Sequence, residues 1–208
     1  MPSPPDDPDL LRVSCAALCR IMHQGRYLLV LNQQRRRRGR YVLAPVGGAL
    51  ALTEPEHLTA FGARLEDPAA ADLRLYLPAG ALAGFRAWFH SGQGRERSPF
   101  RELYEELVSE TRLLPALSPG DVIAEPLRTV ERREPTDRHG DAGPLTHYFL
   151  ELYDVRFTSA RILAALRDPA PDSGAVWLTP AQIAAGALRL VVDGVLCDVT
   201  VRASLLLG

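Results

Sequence analysis

Glu102, Glu105 and Glu106, in the run Arg101-Glu102-Leu103-Tyr104-Glu105-Glu106-Leu107, stand at i, i+3 and i+4. On an α-helix that spacing sends all three carboxylates from one face. Like charges so placed repel, unless they point freely into water or a cation sits among them. Clustered hard oxygen ligands suit Mg²⁺ or Mn²⁺, which keep several waters and bridge to phosphate oxygens. The chemistry in view is therefore metal-assisted attack on phosphorus. An ordinary acidic surface helix has the same pattern, so the run alone leaves both readings open. Two neighbours bear on the choice. Arg101 directly precedes the first glutamate and can pair with and orient a carboxylate. Upstream, Gly47-Gly48 is followed by five residues and then Glu54. A glycine pair after a strand permits close backbone approach, so a carbonyl can reach a metal.

These groups need a scaffold. Ser98-Pro99 reads as a helix start, Ser at the N-cap and Pro at the first helical position, with the helix running from Pro99 to about Glu110. Leu103 and Leu107 would anchor it to a sheet. Leu11 to Arg20 suits a buried strand, His23 to Arg26 a turn, and Tyr27 to Asn32 a second strand, completing a hairpin. Gln33 to Arg40 is a basic loop, and Tyr41 to Pro45 a short strand broken by Val46-Gly47-Gly48. Leu58 to Leu65 reads as a short helix and Asp72 to Leu77 as a strand. Pro78 to His90 reads as an amphipathic helix whose Leu82, Phe85, Trp88 and Phe89 face a core. Val122 to Arg132 looks extended, Glu134 to Pro144 is a loop, and Thr146 to Phe157 is the clearest strand. Ser159 to Arg167 is a short helix, Ala175 to Leu178 a strand, and Thr179-Pro180 caps a helix from Ala181 to about Leu188. The apolar stretch that follows reads as a final helix. Strands and helices alternate irregularly, which implies a mixed sheet between helices.

The bulk numbers narrow the classes. At 208 residues, 47% hydrophobic and 24% charged, the chain suits one sizeable soluble α/β domain. A net charge of -1 gives no global field for nucleic acid or an acidic membrane, so nucleic acid is disfavoured as a partner. Cys15, Cys19 and Cys197 are odd in number and lack CxxC spacing, which argues against a disulfide framework or structural zinc and for a reducing cytoplasm. Residues 1–10 read as a flexible tail without signal-peptide character, and no run of apolar residues is long enough to span a membrane.

Gly48-x5-Glu54 followed by Arg101-Glu102-Leu103-x-Glu105-Glu106 resembles the two halves of the Nudix hydrolase signature, Gly-x5-Glu-x7-Arg-Glu-U-x-Glu-Glu-x-Gly-U with U apolar. The opening hairpin, the strand ending in Pro-x-Gly-Gly, and Val176-Trp177-Leu178-Thr179-Pro180 are similar to the order of elements in that family. Two departures stand out. Between Glu54 and Arg101 lie 46 residues, and Val108-Ser109 stands where the signature closes with Gly-U. The intervening Asp72-Leu-Arg-Leu-Tyr-Leu-Pro78, Phe85-x-x-Trp88-Phe89-x-Ser91-Gly92 and Arg95-Glu96 narrow the resemblance to the SMODS-associated NUDIX group, domains that accompany bacterial nucleotide second-messenger defence systems.

The resemblance implies a Nudix-like α/β/α sandwich with a mixed β-sheet over residues 11–208, and an insert subdomain at 55–97. It implies a divalent metal, Mg²⁺ or Mn²⁺, on Glu102, Glu105, Glu106 and the Gly48 carbonyl. One carboxylate of the cluster, or Glu54, would activate water, and Arg101 would orient a glutamate. Asp172, Glu134, Asp137 and Asp141 are further candidates for a base. Arg35, Arg38 and Arg40 lie in a basic loop that reads as a phosphate clamp or as a solvated loop. Lone His90 and His147, and Tyr27, Tyr41 and Trp177, read as structural. The implied partner is a nucleotide or dinucleotide, with a homodimer allowed. The implied activity is hydrolysis of a nucleoside-diphosphate-linked substrate. The alternative is a module that binds a nucleotide without turning it over.

Overall fold

The computed structural model describes residues 9–136, 143–170 and 173–208. β1 (Leu10–His23) and β2 (Arg26–Leu31) form a hairpin. Its turn, Gln24-Gly25, holds φ at 48° and 72°, the left-handed pair that matches strand twist. The basic segment read as loop contains one helical turn, α1 (Gln33–Arg36), because the Asn32 side chain accepts the Arg35 N–H at 3.0 Å and caps it. β3 (Val42–Ala44) and β4 (Gly47–Ala49) follow. The helix expected over Leu58 to Leu65 is only a turn, α2 (Glu56–Thr59), before β5 (Arg64–Leu65). β6 (Arg74–Pro78) leads into α3 (Leu82–Ser91), and then comes α4 (Phe100–Tyr104), continued by a π-helical turn over Glu105–Glu110. Two long strands, β7 (Val122–Pro135) and β8 (Leu145–Phe157), precede α5 (Ala160–Arg167), β9 (Ala175–Leu178) and α6 (Pro180–Ala185). α6 has a reciprocal Thr179–Gln182 cap and stops at Gly186, φ 72°, short of the expected Leu188.

The expected final helix is instead a hairpin, β10 (Ala187–Val192) and β11 (Val195–Val201). Asp193-Gly194, with φ of 52° and 78°, makes its two-residue turn. An apolar run reads alike as buried helix or strand, and the Asp-Gly pair is the arbiter that selects the hairpin.

Two compact units divide the chain. The first takes the chain up to Ala17, then Gly48–Ser98 and Arg128–Glu151. Here β5, β6 and the start of β1 run antiparallel. Phe85, Trp88 and Phe89 of α3 are buried and cluster with Phe61 and Phe149, so they serve as core. Two buried arginines are satisfied internally. Arg12 reaches Glu66 and Thr146. Arg95 meets Glu151 at 2.6 Å, the Phe89 carbonyl at 2.6 Å and the Phe89 ring. Pairing is what makes such burial tolerable.

The second unit holds Leu18–Gly47, Pro99–Leu127 and Leu152–Gly208. β2 pairs antiparallel with β3 and β9, β10 with β11, while β11 and β3 run parallel. The sheet is therefore mixed and the fold mixed α/β, as the sequence implies. No helix among the described residues is long and apolar enough to cross a membrane.

Candidate functional site

The second unit carries the Arg101–Glu106 run on α4 and its π turn. The Leu103 N–H donates to the Pro99 carbonyl at 2.9 Å, which makes Pro99, not Ser98, the capping residue. Leu103 and Leu107 are fully buried and anchor the helix, as expected. The turn after Tyr104 widens: the Thr111 N–H reaches the Glu106 carbonyl, five residues back, at 3.0 Å, and its hydroxyl donates to the same oxygen at 2.6 Å. Arg112 then adopts φ 52°, a left-handed conformation just past the end of the helix and four residues beyond Val108. π turns inside helices recur at functional sites because they re-aim side chains.

The three glutamates meet different surroundings. Glu102 is buried, 7% exposed, and its Oε1 lies 2.9 Å from Arg101. Glu105 is half-exposed and is drawn to the same guanidinium at 3.1 Å. Glu106 turns inward, where its Oε2 accepts the Gly47 N–H at 3.0 Å. Burial pushes the Glu106 carboxyl up to about 8; the Gly47 hydrogen bond opposes this, and the charges of Glu102, Glu110 and Glu105 add to it. Cys19 lies buried within reach of the same field. Burial raises its thiol well above the ordinary range, with Glu106 and Glu102 contributing. The Cys19 N–H donates to the Val46 carbonyl at 2.8 Å, tying β1 to the segment just before the glycine pair.

Thr111 and Cys19 are the residues that sequence reasoning did not place here, and Gly47 it placed only as half of the glycine pair. The glycine pair signalled close approach, but through a carbonyl. In the structure the Gly47 amide holds Glu106, and Gly48 is the next residue in β4.

Glu54 belongs to the first unit. Its carboxylate meets His57 Nε2 at 2.8 Å, and its N–H and that of Thr53 donate to the Gly94 carbonyl at 3.0 and 2.9 Å. Gly94 has φ 64°, and a Cβ there would run into the His57 ring. The neighbouring residues lace the same two segments together: Leu52 bridges Arg95, Glu96 N–H donates to the Ala51 carbonyl at 2.8 Å, and Ala51 N–H donates to Glu96 Oε2 at 3.0 Å. Arg35, Arg38 and Arg40 cluster by backbone bonds, the Arg38 and Arg40 N–H groups both reaching the Arg35 carbonyl. Their neighbour Arg36 is held by Asp193, whose carboxyl it keeps below the usual range. Glu134 is exposed beside Arg132. Asp137, Asp141 and Asp172 lie outside the described residues. His90 faces Glu131, and His147 is lowered by burial and by Arg133 and Arg86.

Among the described residues no three His, Cys, Asp or Glu side chains are drawn together as a metal-binding group. The donor chemistry nonetheless fits a hard cation. Buried Glu102 and half-buried Glu106 repel one another, one guanidinium is divided between Glu102 and Glu105, and the charges acting on Glu106 are all negative.

No curated protein matches the chain. The family model of the SMODS-associated NUDIX domain matches residues 10–206, covering both halves of the split carboxylate motif and everything between them. With that match over nearly its whole length, and the mixed α/β fold around it, the chain belongs to the SMODS-associated NUDIX domain family.

Proposed function

We propose that the protein is a Mg²⁺- (or Mn²⁺-) dependent hydrolase of a nucleoside-diphosphate-linked substrate. Family membership supports the coarse class, nucleotide-related hydrolysis. The observation that carries the finer reading is Glu106: a half-buried carboxylate turned onto the Gly47 amide and, with Glu102 adding to its repulsion, pushed up to about 8, a group that a divalent cation would satisfy. Glu102 and Glu106 would hold the ion, with Glu105 and the Gly48 carbonyl as further ligands. Once bound, the ion supplies positive charge against the pyrophosphate oxygens. Arg101 orients Glu102 and restrains Glu105 through its two ion pairs. Glu54 or a carboxylate of the helix takes the proton of the attacking water. Arg35, Arg38 and Arg40 contact substrate phosphate. The physiological substrate is a nucleotide signal of a bacterial defence system, met in the cytoplasm, where free Cys15, Cys19 and Cys197 persist as thiols.

A second reading, a sensor that binds a nucleotide without turnover, is favoured by the engagement of Glu105 with Arg101 and by the interrupted signature. A screen of ADP-ribose, NAD, dinucleoside polyphosphates and cyclic oligonucleotides separates the two. Hydrolysis predicts metal-dependent phosphate-ester release from at least one compound, abolished in Glu105→Gln/Glu106→Gln. Tight nucleotide binding without turnover of any panel member establishes the sensor instead.

A further inference from the structure

We propose that a cavity in the second unit, lined from β1, β8, α5 and β9, binds a small amphipathic anion: an apolar ring body bearing one carboxylate, sulfonate or phosphate. The cavity measures about 240 Å³ and its walls include Phe157, Leu166 and Trp177. Trp177 is fixed in place, its Nε1 donating to the Leu166 carbonyl at 2.7 Å, so its polar edge is satisfied. A largely apolar cavity with a few polar groups is the usual form of a small-molecule site.

Three polar side chains line the same cavity: His23, Arg156 and Arg167. The His23 ring sits 5.9 Å from that of Trp177, and its Nε2 is enclosed with no hydrogen-bond partner among the described residues. Enclosed polar atoms are nearly always bonded, so a partner from a ligand or a water is called for. Arg156 is engaged by Glu125 at 2.6 Å. Arg167 has no hydrogen bond or ion pair among the described residues and stands exposed. The apolar walls thus adjoin one guanidinium with its charge unspent, and that selects an anionic headgroup. Leu163 lines the cavity while 41% exposed, which places it at the opening.

The probe is 1-anilinonaphthalene-8-sulfonate, titrated into the full chain beside its uncharged parent N-phenyl-1-naphthylamine. Wild type is expected to bind the sulfonate saturably at one site. Arg167→Glu is expected to weaken that binding by about tenfold or more, the value of a charge-assisted hydrogen bond, and to leave the uncharged parent unchanged. Leu163→Trp should weaken both. Both positions reach solvent, so unchanged thermal melts are expected to accompany these losses. Displacement of the dye by AMP or by indole-3-acetate distinguishes a phosphate from a carboxylate headgroup, and either supports the proposal. Absence of saturable dye binding, or sulfonate binding that Arg167→Glu leaves intact, overturns it.

Discussion

Glu106 is held in the folded protein by one backbone amide, and the charges that act on it are carboxylates of its own sign. Its folded value, about 8, lies above its ordinary 4.5, so the folded chain binds that proton more tightly than the unfolded chain does. The sign follows by linkage: this contribution to stability is complete below about pH 4.5 and is lost as pH climbs through 8. In EDTA, Glu106→Gln should therefore match wild type at pH 5 and exceed it at pH 8, by an amount on the order of a few kcal/mol. Thermal melts at the two pH values check this, and a Gln variant that melts lower at pH 8 would contradict it. Mg²⁺ should raise the melting temperature of wild type at pH 8 and have little effect on the variant. Little of this was visible in the sequence. The spacing of Glu102, Glu105 and Glu106 was plain, but which of them faces inward depends on a π turn and on the Gly47 amide, and neither has a local sequence signal.

At the scale of elements, the C-terminal hairpin offers a test whose sign separates two structures. Gly194 holds φ 78°, and a Cβ there meets nothing within 4 Å. In the hairpin, Gly194→Ala costs about 1 kcal/mol through backbone strain alone. In the helix first read from this segment, the same change would stabilise by about 1 kcal/mol through helix propensity. Urea unfolding of the two proteins decides the sign. The comparison also shows what was legible. Alternation and turn chemistry revealed the β1–β2 hairpin, because Gln24-Gly25 separates two distinct apolar runs. In the last stretch Asp193-Gly194 sits inside nearly continuous apolar sequence, and the run length outweighed the turn signal. The carboxylate helix is legible as far as Glu110, and Leu103 and Leu107 mark its buried side. Its change of pitch escaped, since helical propensity is blind to a fifth residue inserted into a turn.

At the scale of the whole molecule, the segment between Glu54 and Arg97 contributes to the core of the first unit. Its aromatic residues pack on Phe149 of β8, in the same unit as the start of β1. Gly94, where the insert returns, binds the Glu54 segment through two backbone hydrogen bonds. Gly94→Ala should lower stability by roughly 1–3 kcal/mol, because it combines a left-handed backbone with a collision against His57. If Glu54 serves the reaction as proposed, turnover should fall further than that loss of stability explains, which activity measured well below the melting temperature would reveal. The same lacing bears on the long spacing between Glu54 and Arg101. The excursion leaves at Glu54 and comes home to it at Gly94, so it forms a closed detour whose length is nearly free to vary. Stepping across that hydrogen bond instead of following the chain, six residues lie between Gly94 and Arg101. Along the chain, the route from Glu54 to Arg101 is thereby much shortened, with a hydrogen-bonded shortcut standing in for covalent adjacency.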